Sequence, residues 1–259
     1  MDVECRRTKA DRARDPVNTD VYTVEADVKD THWWFAGRRR LFKRLIGGLQ
    51  PNAAWLVLEV GAGTGANLRV LQDLGAGRVV ACDVSVDALR HAGCSATMTR
   101  ADATHLPFRS GSVDLLLAAD VIEHLDDDGA ALREFARVLR PGGHLVLTVP
   151  AFPALWGPQD VVAHHRRRYR RAGLLSLLGD VDVRVATCFH FNYLLFAPIW
   201  VARKILLALD VEIASENVVN TAVLNRVLTT VFFADVDTAP LVRPPFGVSL
   251  CVVAAKHRS

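Results

Sequence analysis

Val57-Leu58-Glu59-Val60-Gly61-Ala62-Gly63-Thr64-Gly65 decides how this chain is read. An apolar strand carries an acidic residue near its end and then breaks into glycines at alternate positions. A strand, such a turn and a helix start make a backbone suited to close approach by a ligand. The missing Cβ atoms permit positive φ and let a ligand lie against the main chain. Spacing alone does not name that ligand, because Gly61-x-Gly63-x-x-Ala66 also satisfies the loose dinucleotide fingerprint, in which alanine replaces the third glycine.

Working outward, Arg78-Val79-Val80-Ala81-Cys82-Asp83 is a second short apolar strand ending in a carboxylate, about twenty residues after the turn. In a βαβ unit that carboxylate reaches the ribose hydroxyls of an adenosine-containing ligand. More than one cofactor class fits at this point. A third strand-like run, Ala96 to Ala101, leads into Asp102-Ala103 and Leu106-Pro107-Phe108. A fourth, Ser112 to Asp120, leads into Val121-Ile122-Glu123-His124-Leu125. An amphipathic helix follows with Leu132, Phe135, Ala136 and Leu139 on one face. Arg140-Pro141-Gly142-Gly143 should end it and start a fifth strand, His144 to Val149.

These motifs together resemble the class I S-adenosylmethionine (SAM)-dependent methyltransferases, in the branch similar to the ubiquinone and menaquinone biosynthesis enzymes. The resemblance rests on Leu-Glu-Val-Gly-Ala-Gly-Thr-Gly, Ala-Cys-Asp-Val-Ser, Ala-Asp-Ala-Thr-His-Leu-Pro-Phe, Ser-Val-Asp-Leu-Leu-Leu and Val-Leu-Arg-Pro-Gly-Gly-His-Leu, in the family's order from Trp55 to about Pro150. A nicotinamide enzyme has no reason to carry the Asp102-Ala103 pair together with the Pro-Gly-Gly turn. The implied fold is α/β, a Rossmann-like doubly wound seven-stranded sheet whose last strand is antiparallel. The implied cofactor is SAM. By resemblance, Gly61, Gly63 and Gly65 line the methionine portion, and Glu59 holds the loop through backbone hydrogen bonds near the ligand's amino group. Asp83 takes the ribose hydroxyls, Val84 packs on the adenine, Asp102 with the Ala103 backbone meets the adenine amine, and Asp120 contacts the methionine end or the substrate.

Three further segments carry information. His32-Trp33-Trp34-Phe35-Ala36-Gly37-Arg38-Arg39-Arg40 precedes the core and is similar to a pattern in this branch. It is expected to form a helical lid, with Trp33, Trp34 and Phe35 as lid aromatics and Arg38 facing the ligand's carboxylate. After the fifth strand, Leu155-Trp156-Gly157-Pro158-Gln159-Asp160 and His165-Arg166-Arg167-Arg168-Tyr169 resemble the family's run before the next helix. His165 and Tyr169 would share a face if helical, and His165 is the candidate general base. The arginine run is either a solvated face or a site for an acidic substrate. Between the sixth strand (Asp182 to about Phe189) and the last (Gly247 to Ala254) lies an insertion reading as two apolar helices, about Asn192 to Leu209 and about Asn217 to Ala234. The expected organisation is a tail over 1–20, a helical lid over 21–54, a SAM-binding core over 55–190, a helical insertion over 191–243 and the last strand over 244–259.

Composition sets the bounds. The 259 residues, 51% hydrophobic, suffice for one large domain with additions. A net charge of +3 is too small to imply a nucleic-acid partner. Cys5, Cys82, Cys94, Cys188 and Cys251 are scattered without a Cys-x-x-Cys pair, which fits reduced thiols in a cytoplasmic protein. The polar start lacks a signal-peptide core, and Tyr193 to Ala202, broken by Pro198, is too short to span a bilayer. His164 and His165 are adjacent and lack spaced partners, so no metal is expected. The leading expectation is methyl transfer to a small molecule, natural-product or lipid-like and O-methylated. The alternatives are a SAM-binding scaffold without turnover and, less favoured, an NAD-dependent oxidoreductase. The two apolar helices point to a greasy substrate, a homodimer face, peripheral membrane contact or plain extra packing.

Overall fold

The computed structural model describes residues 19–92, 96–209 and 221–258. The expected tail up to residue 18, Cys5, Cys94 and the start of the second insertion helix lie outside them. Helix α1 (Thr19–Val28) starts inside the expected tail and leads to α2 (Trp33–Gly47). His32 caps α2 by accepting from the Trp34 backbone N–H at 3.3 Å. Burial of Phe35, Arg38, Leu41, Phe42 and Ile46 gives α2 one inward face at helical spacing.

The core then alternates. Strand β1 (Leu56–Val60) precedes α3 (Leu68–Asp73), β2 (Arg78–Asp83) precedes α4 (Val86–His91), and β3 (Thr97–Arg100) and β4 (Val113–Ala119) follow. Helix α5 (Asp128–Val138), capped by Asp127 on the Ala130 N–H at 2.7 Å, runs straight into β5 (Leu139–Pro150). The strand therefore begins earlier than the Pro-Gly-Gly turn suggests. Leu139 already pairs with Val113, residues 140–143 bulge out with Gly142 at φ 74°, and pairing resumes at His144. The chain continues through α6 (Pro158–Val162), α7 (Arg171–Gly179), β6 (Val183–Phe191), α8 (Phe196–Ala208), α9 (Ala222–Val242) and β7 (Ser249–Lys256).

The seven strands lie in the order β3-β2-β1-β4-β5-β7-β6. They are parallel through β5, and β7 runs antiparallel to both its neighbours. Leu58, Val60, Leu116 and Leu147 pack with Phe135 of α5 and Leu174 of α7 on one face. Val57, Leu115 and Leu117 pack with Phe42 and Ile46 of α2 and with Leu68 and Leu71 of α3 on the other. Burial on both faces explains why these strands read as continuous apolar runs. The strand order reverses between β1 and β4, so a crevice opens at their carboxyl ends.

A third cluster, with Leu41, Phe189, Phe191, Phe232 and Val236, joins α2 and β6 to α9. The second insertion helix is thus a clamp on the lid. The Trp34 ring stacks on Phe232 at 5.4 Å between centroids. Asn225 accepts from the Trp33 N–H at 2.8 Å and donates to the Thr31 carbonyl at 2.9 Å. Arg40 donates to both carboxylate oxygens of Asp237, at 2.9 and 2.7 Å. Helix α8 differs in leaving Trp200, Val201, Ile205 and Leu207 exposed, as are Val223 and Val227 at the start of α9. No helix among the described residues is long and apolar enough to cross a membrane.

The lid clamp depends on a missing side chain. A Cβ on Gly37 would lie 2.0 Å from Cδ1 of Phe232. Gly37→Ala should therefore cost about 1–3 kcal/mol of stability through overpacking. Adding Phe232→Leu should recover part of the loss, so urea midpoints of the two single variants and the double variant should be non-additive. Strict additivity would mean the two residues do not meet.

Candidate active site

The turn after β1 takes its shape from three glycines at positive φ, Gly61 at 67°, Gly63 at 53° and Gly65 at 78°. They are not equivalent. A Cβ on Gly61 would strike Val121 at 2.5 Å, and one on Gly65 would strike Ala92 at 2.9 Å. On Gly63 it would face open space, with Glu25 Oε2 nearest at 3.9 Å. Asp83, at the end of β2, fixes the turn by accepting from the Gly63 N–H at 2.8 Å and the Ser85 N–H at 2.9 Å. From the lid, Lys29 donates to the Thr64 carbonyl at 2.7 Å, so the end of α1 is fastened to the same turn.

These groups open onto a cavity of about 820 Å³. Its floor at one end is Gly61, Gly63, Asp83, Val84, Asp102 and Ala103. Asp102 accepts from the N–H and hydroxyl of Thr104 at 2.8 and 2.7 Å, which holds its loop. Asp120 follows β4 in the left-handed region, at φ 57°, a strained setting for a side chain other than glycine. It pairs with NH1 of Arg38 at 2.8 Å and accepts from the Thr148 hydroxyl at 3.3 Å.

Two acids near the turn are under strain of a different kind. Glu59 is fully buried behind it. One of its oxygens accepts from Asn67 at 2.8 Å, the other has no partner, and burial pushes the carboxyl up to about 7. Glu25 of α1 lines the cavity and retains some exposure, yet protein packed around its carboxyl pushes it to about 7 as well. The Thr64 hydroxyl is also buried without a partner.

The far end of the cavity is built around Asp160, which is fully buried. Burial alone would raise its pKa, but hydrogen bonds from His165 and Arg168 and the charge of Arg203 hold it low. It accepts from the Gly157 N–H at 2.9 Å and from Arg168 Nε at 2.8 Å, and His165 Nδ1 lies 2.8 Å away. The His165 ring meets that of His124 edge-on at 4.8 Å. Burial first, then His165, pushes His124 down to about 4. Glu123, fully buried beside them, is raised well above the carboxylate range by burial and then by Asp120.

Known proteins share sequence and fold with this chain. Residues 58–147 match the methyltransferase domain family. A probable SAM-dependent methyltransferase of Mycobacterium tuberculosis is 31% identical over 173 residues, 63% of this chain and 61% of that protein. A demethylmenaquinone methyltransferase of Corynebacterium kroppenstedtii is 32% identical over 136 residues, 49% of this chain and 55% of its own length. Residues 58–147 of the chain are thus a methyltransferase domain. The chain spans about three fifths or less of the length of these relatives. A chain from the solved Haloferax volcanii complex of a methyltransferase activator and a methyltransferase shares the fold. The two superpose with a TM-score of 0.61 over 93% of this chain and 96% of that one, at 21% identity.

The residues of the methyltransferase domain fit SAM on their own chemistry. The open face of Gly63 leaves room against the main chain, and Glu25 and Thr64, both on the cavity wall, suit the amino group of a methionine moiety. Of the expected cofactor residues, Trp33, Arg38, Gly61, Gly63, Asp83, Val84, Asp102, Ala103 and Asp120 all line the cavity. Gly65 and Glu59 do not. Gly65 is required by packing on α4 and Leu68, and Glu59 reaches the Asn67 amide instead of loop backbone. Arg38 faces the cavity with its charge already met by Asp120.

Tyr169 must be corrected as a catalytic candidate. Residues 163–169 are not helical, so it shares no face with His165. Its buried hydroxyl donates to Asp128 at 2.8 Å, and burial, then that bond, pushes its pKa up. Three arginines of the run are already paired. Arg166 pairs with Asp126, Arg167 with Asp128 and Arg168 with Asp160. Sequence reasoning passed over Glu25, Asn67, Glu123, His124 and Asn192. The one signal for Glu123 and His124 was their place just past the carboxyl end of a parallel strand.

Two outcomes follow. Gly63→Val should remove SAM binding while preserving the fold, because its side chain would enter the cavity at a strained φ; calorimetric binding that survives with unchanged circular dichroism would exclude Gly63 from the site. The raised carboxyls also set a pH trend. In the folded state Glu25 keeps a proton that the unfolded chain loses above about pH 4.5, so its stabilising share is complete below that pH and is lost as pH rises through about 7. The unfolding free energy of wild type minus that of Glu25→Gln should fall across this window.

Proposed function

We propose that this protein transfers the methyl group of SAM to a hydroxyl of a small apolar acceptor. The observation carrying this reading is that one cavity joins the glycine turn and Asp83 to the His124–His165 corner. Bound SAM supplies an electrophilic methyl group on a sulfonium centre. The remaining work is orientation and exclusion of water, which the protein does with groups already in place. In this reading Asp83 holds the nucleoside end, while the Gly63 main chain and Glu25 face the amino-acid end.

Trp33, Trp34, Ile199 and Leu228 line the cavity with apolar surface from the lid and both insertion helices. This lining supports a greasy acceptor. Asn192, buried with its carbonyl oxygen unpartnered, lines the same cavity and offers an acceptor atom for a donor on the substrate. In this reading His165, oriented by Asp160, positions the acceptor hydroxyl.

The test is transfer of label from methyl-labelled SAM to hydroxylated apolar acceptors. His165→Ala should lower turnover by about 10²-fold while SAM affinity is unchanged. Tight SAM binding with no transfer to any acceptor in a broad extract would instead support a scaffold.

A further inference from the structure

Folding brings together three side chains that are scattered or ignored in the sequence. Glu123 and His124 form the 3-10 turn after Asp120, and His165 comes from the loop after α6. One donor atom from each lies within 4.8 Å of the other two. Glu123 is fully buried, and apart from its own backbone amide neither carboxyl oxygen has a partner. Nδ1 of His124 is buried and unpartnered too.

A buried carboxylate without donors is costly, and native folds relieve that cost with a proton, a cation or a metal. No arginine hydrogen-bonds to Glu123, although the charges of Arg38 and Arg168 act on it from a distance. Arg38 is paired to Asp120, Arg166 to Asp126 and Arg168 to Asp160. His165 is instead arranged as a ligand would be. Asp160 holds its Nδ1, leaving Nε2 for a further partner, and Asp160 is itself fixed by Gly157 and Arg168. A carboxylate behind an imidazole is the usual outer support of a metal-bound histidine.

We propose that Glu123, His124 and His165 bind one divalent transition-metal ion at the acceptor end of the cavity. Two imidazoles and a carboxylate suit zinc, manganese, cobalt or iron and leave positions open for other ligands. Metal–donor bonds of about 2.0–2.2 Å place neighbouring donors roughly 3–3.5 Å apart, so the three donors, now within 4.8 Å of one another, would draw closer around the ion. His124 and His165 line the cavity, so an open position faces the acceptor.

The ion's chemical role rests on the methyl-transfer reading above, whereas its binding does not. A hydroxyl coordinated there becomes more acidic and loses its proton to water. The oxygen then forms the O–CH₃ bond as the S–CH₃ bond breaks, and the sulfonium becomes a neutral thioether. No oxidant or reductant is involved.

The experiment uses tag-free protein stripped with chelator. Manganese binding is followed by loss of the free-ion paramagnetic resonance signal, and cobalt binding by its visible absorption. One ion per chain is expected, with a cobalt spectrum of mixed nitrogen and oxygen ligation. Glu123→Gln and His165→Ala should each weaken manganese binding about 10–100-fold or more. SAM binding, measured in parallel, should persist and so report an intact fold. Absence of stoichiometric binding, or binding indifferent to both substitutions, would overturn the site. Methyl transfer undiminished by chelator would overturn the ion's role. Stoichiometric binding in a protein that transfers no methyl group would leave the site standing and remove the transferase reading instead.

Discussion

The two hydrogen bonds that Asp83 accepts, from Gly63 and Ser85, hold the ligand end of this structure in place. They join the turn after β1 to the end of β2, so the crevice between strands acquires a defined floor. Without them a turn containing three glycines at positive φ would have little to choose one conformation over others. The same carboxylate thus braces the turn and lines the cavity. Lys29 fastens the lid to the braced turn, and Arg38 closes on Asp120 across the cavity.

At the opposite end a second buried acid, Asp160, has the same organising role. It gathers Gly157, Arg168 and His165 around one carboxylate, while Arg168 also donates to the Ala151 carbonyl and so ties the post-β5 loop to its strand. A loop that long would otherwise carry unsatisfied backbone and charge into the protein's interior. The cost of burying Asp160 is offset by several donors, as buried charges require. Glu123 nearby shows the contrast, since no side-chain donor reaches it.

Much of the fold was legible because its signals are local. The glycine turn, the carboxylate closing β2 and the apolar runs of β1, β2 and β4 are each set by neighbouring residues, and their spacing matches a doubly wound sheet. The cofactor end was readable for the same reason, apart from Gly65 and Glu59, whose side of the turn depends on packing against Ala92 and Asn67. The acceptor end was much less readable. His165 and Tyr169 stand four apart, which suggests a helix, but Asp160 and Asp128 pull the segment out as an extended strap. The meeting of His124 with His165 depends on two loops that are distant in sequence. Likewise the apolar pattern of the second insertion helix revealed that it buries something, and only tertiary contact identifies its partner as α2.

The clamp of α9 on α2 makes the lid a shared part. Arg38 and Trp33 of α2 and Leu228 of α9 all line the cavity, and Trp33 packs on Phe232 behind it. Whatever free energy is needed to settle this helix pair is drawn on by both ligands. On the methyl-transfer reading, a helix pair settled by one ligand would already be in place for the other, and such coupling would be reciprocal by thermodynamic necessity. An insertion outside the common sheet would then link two binding steps.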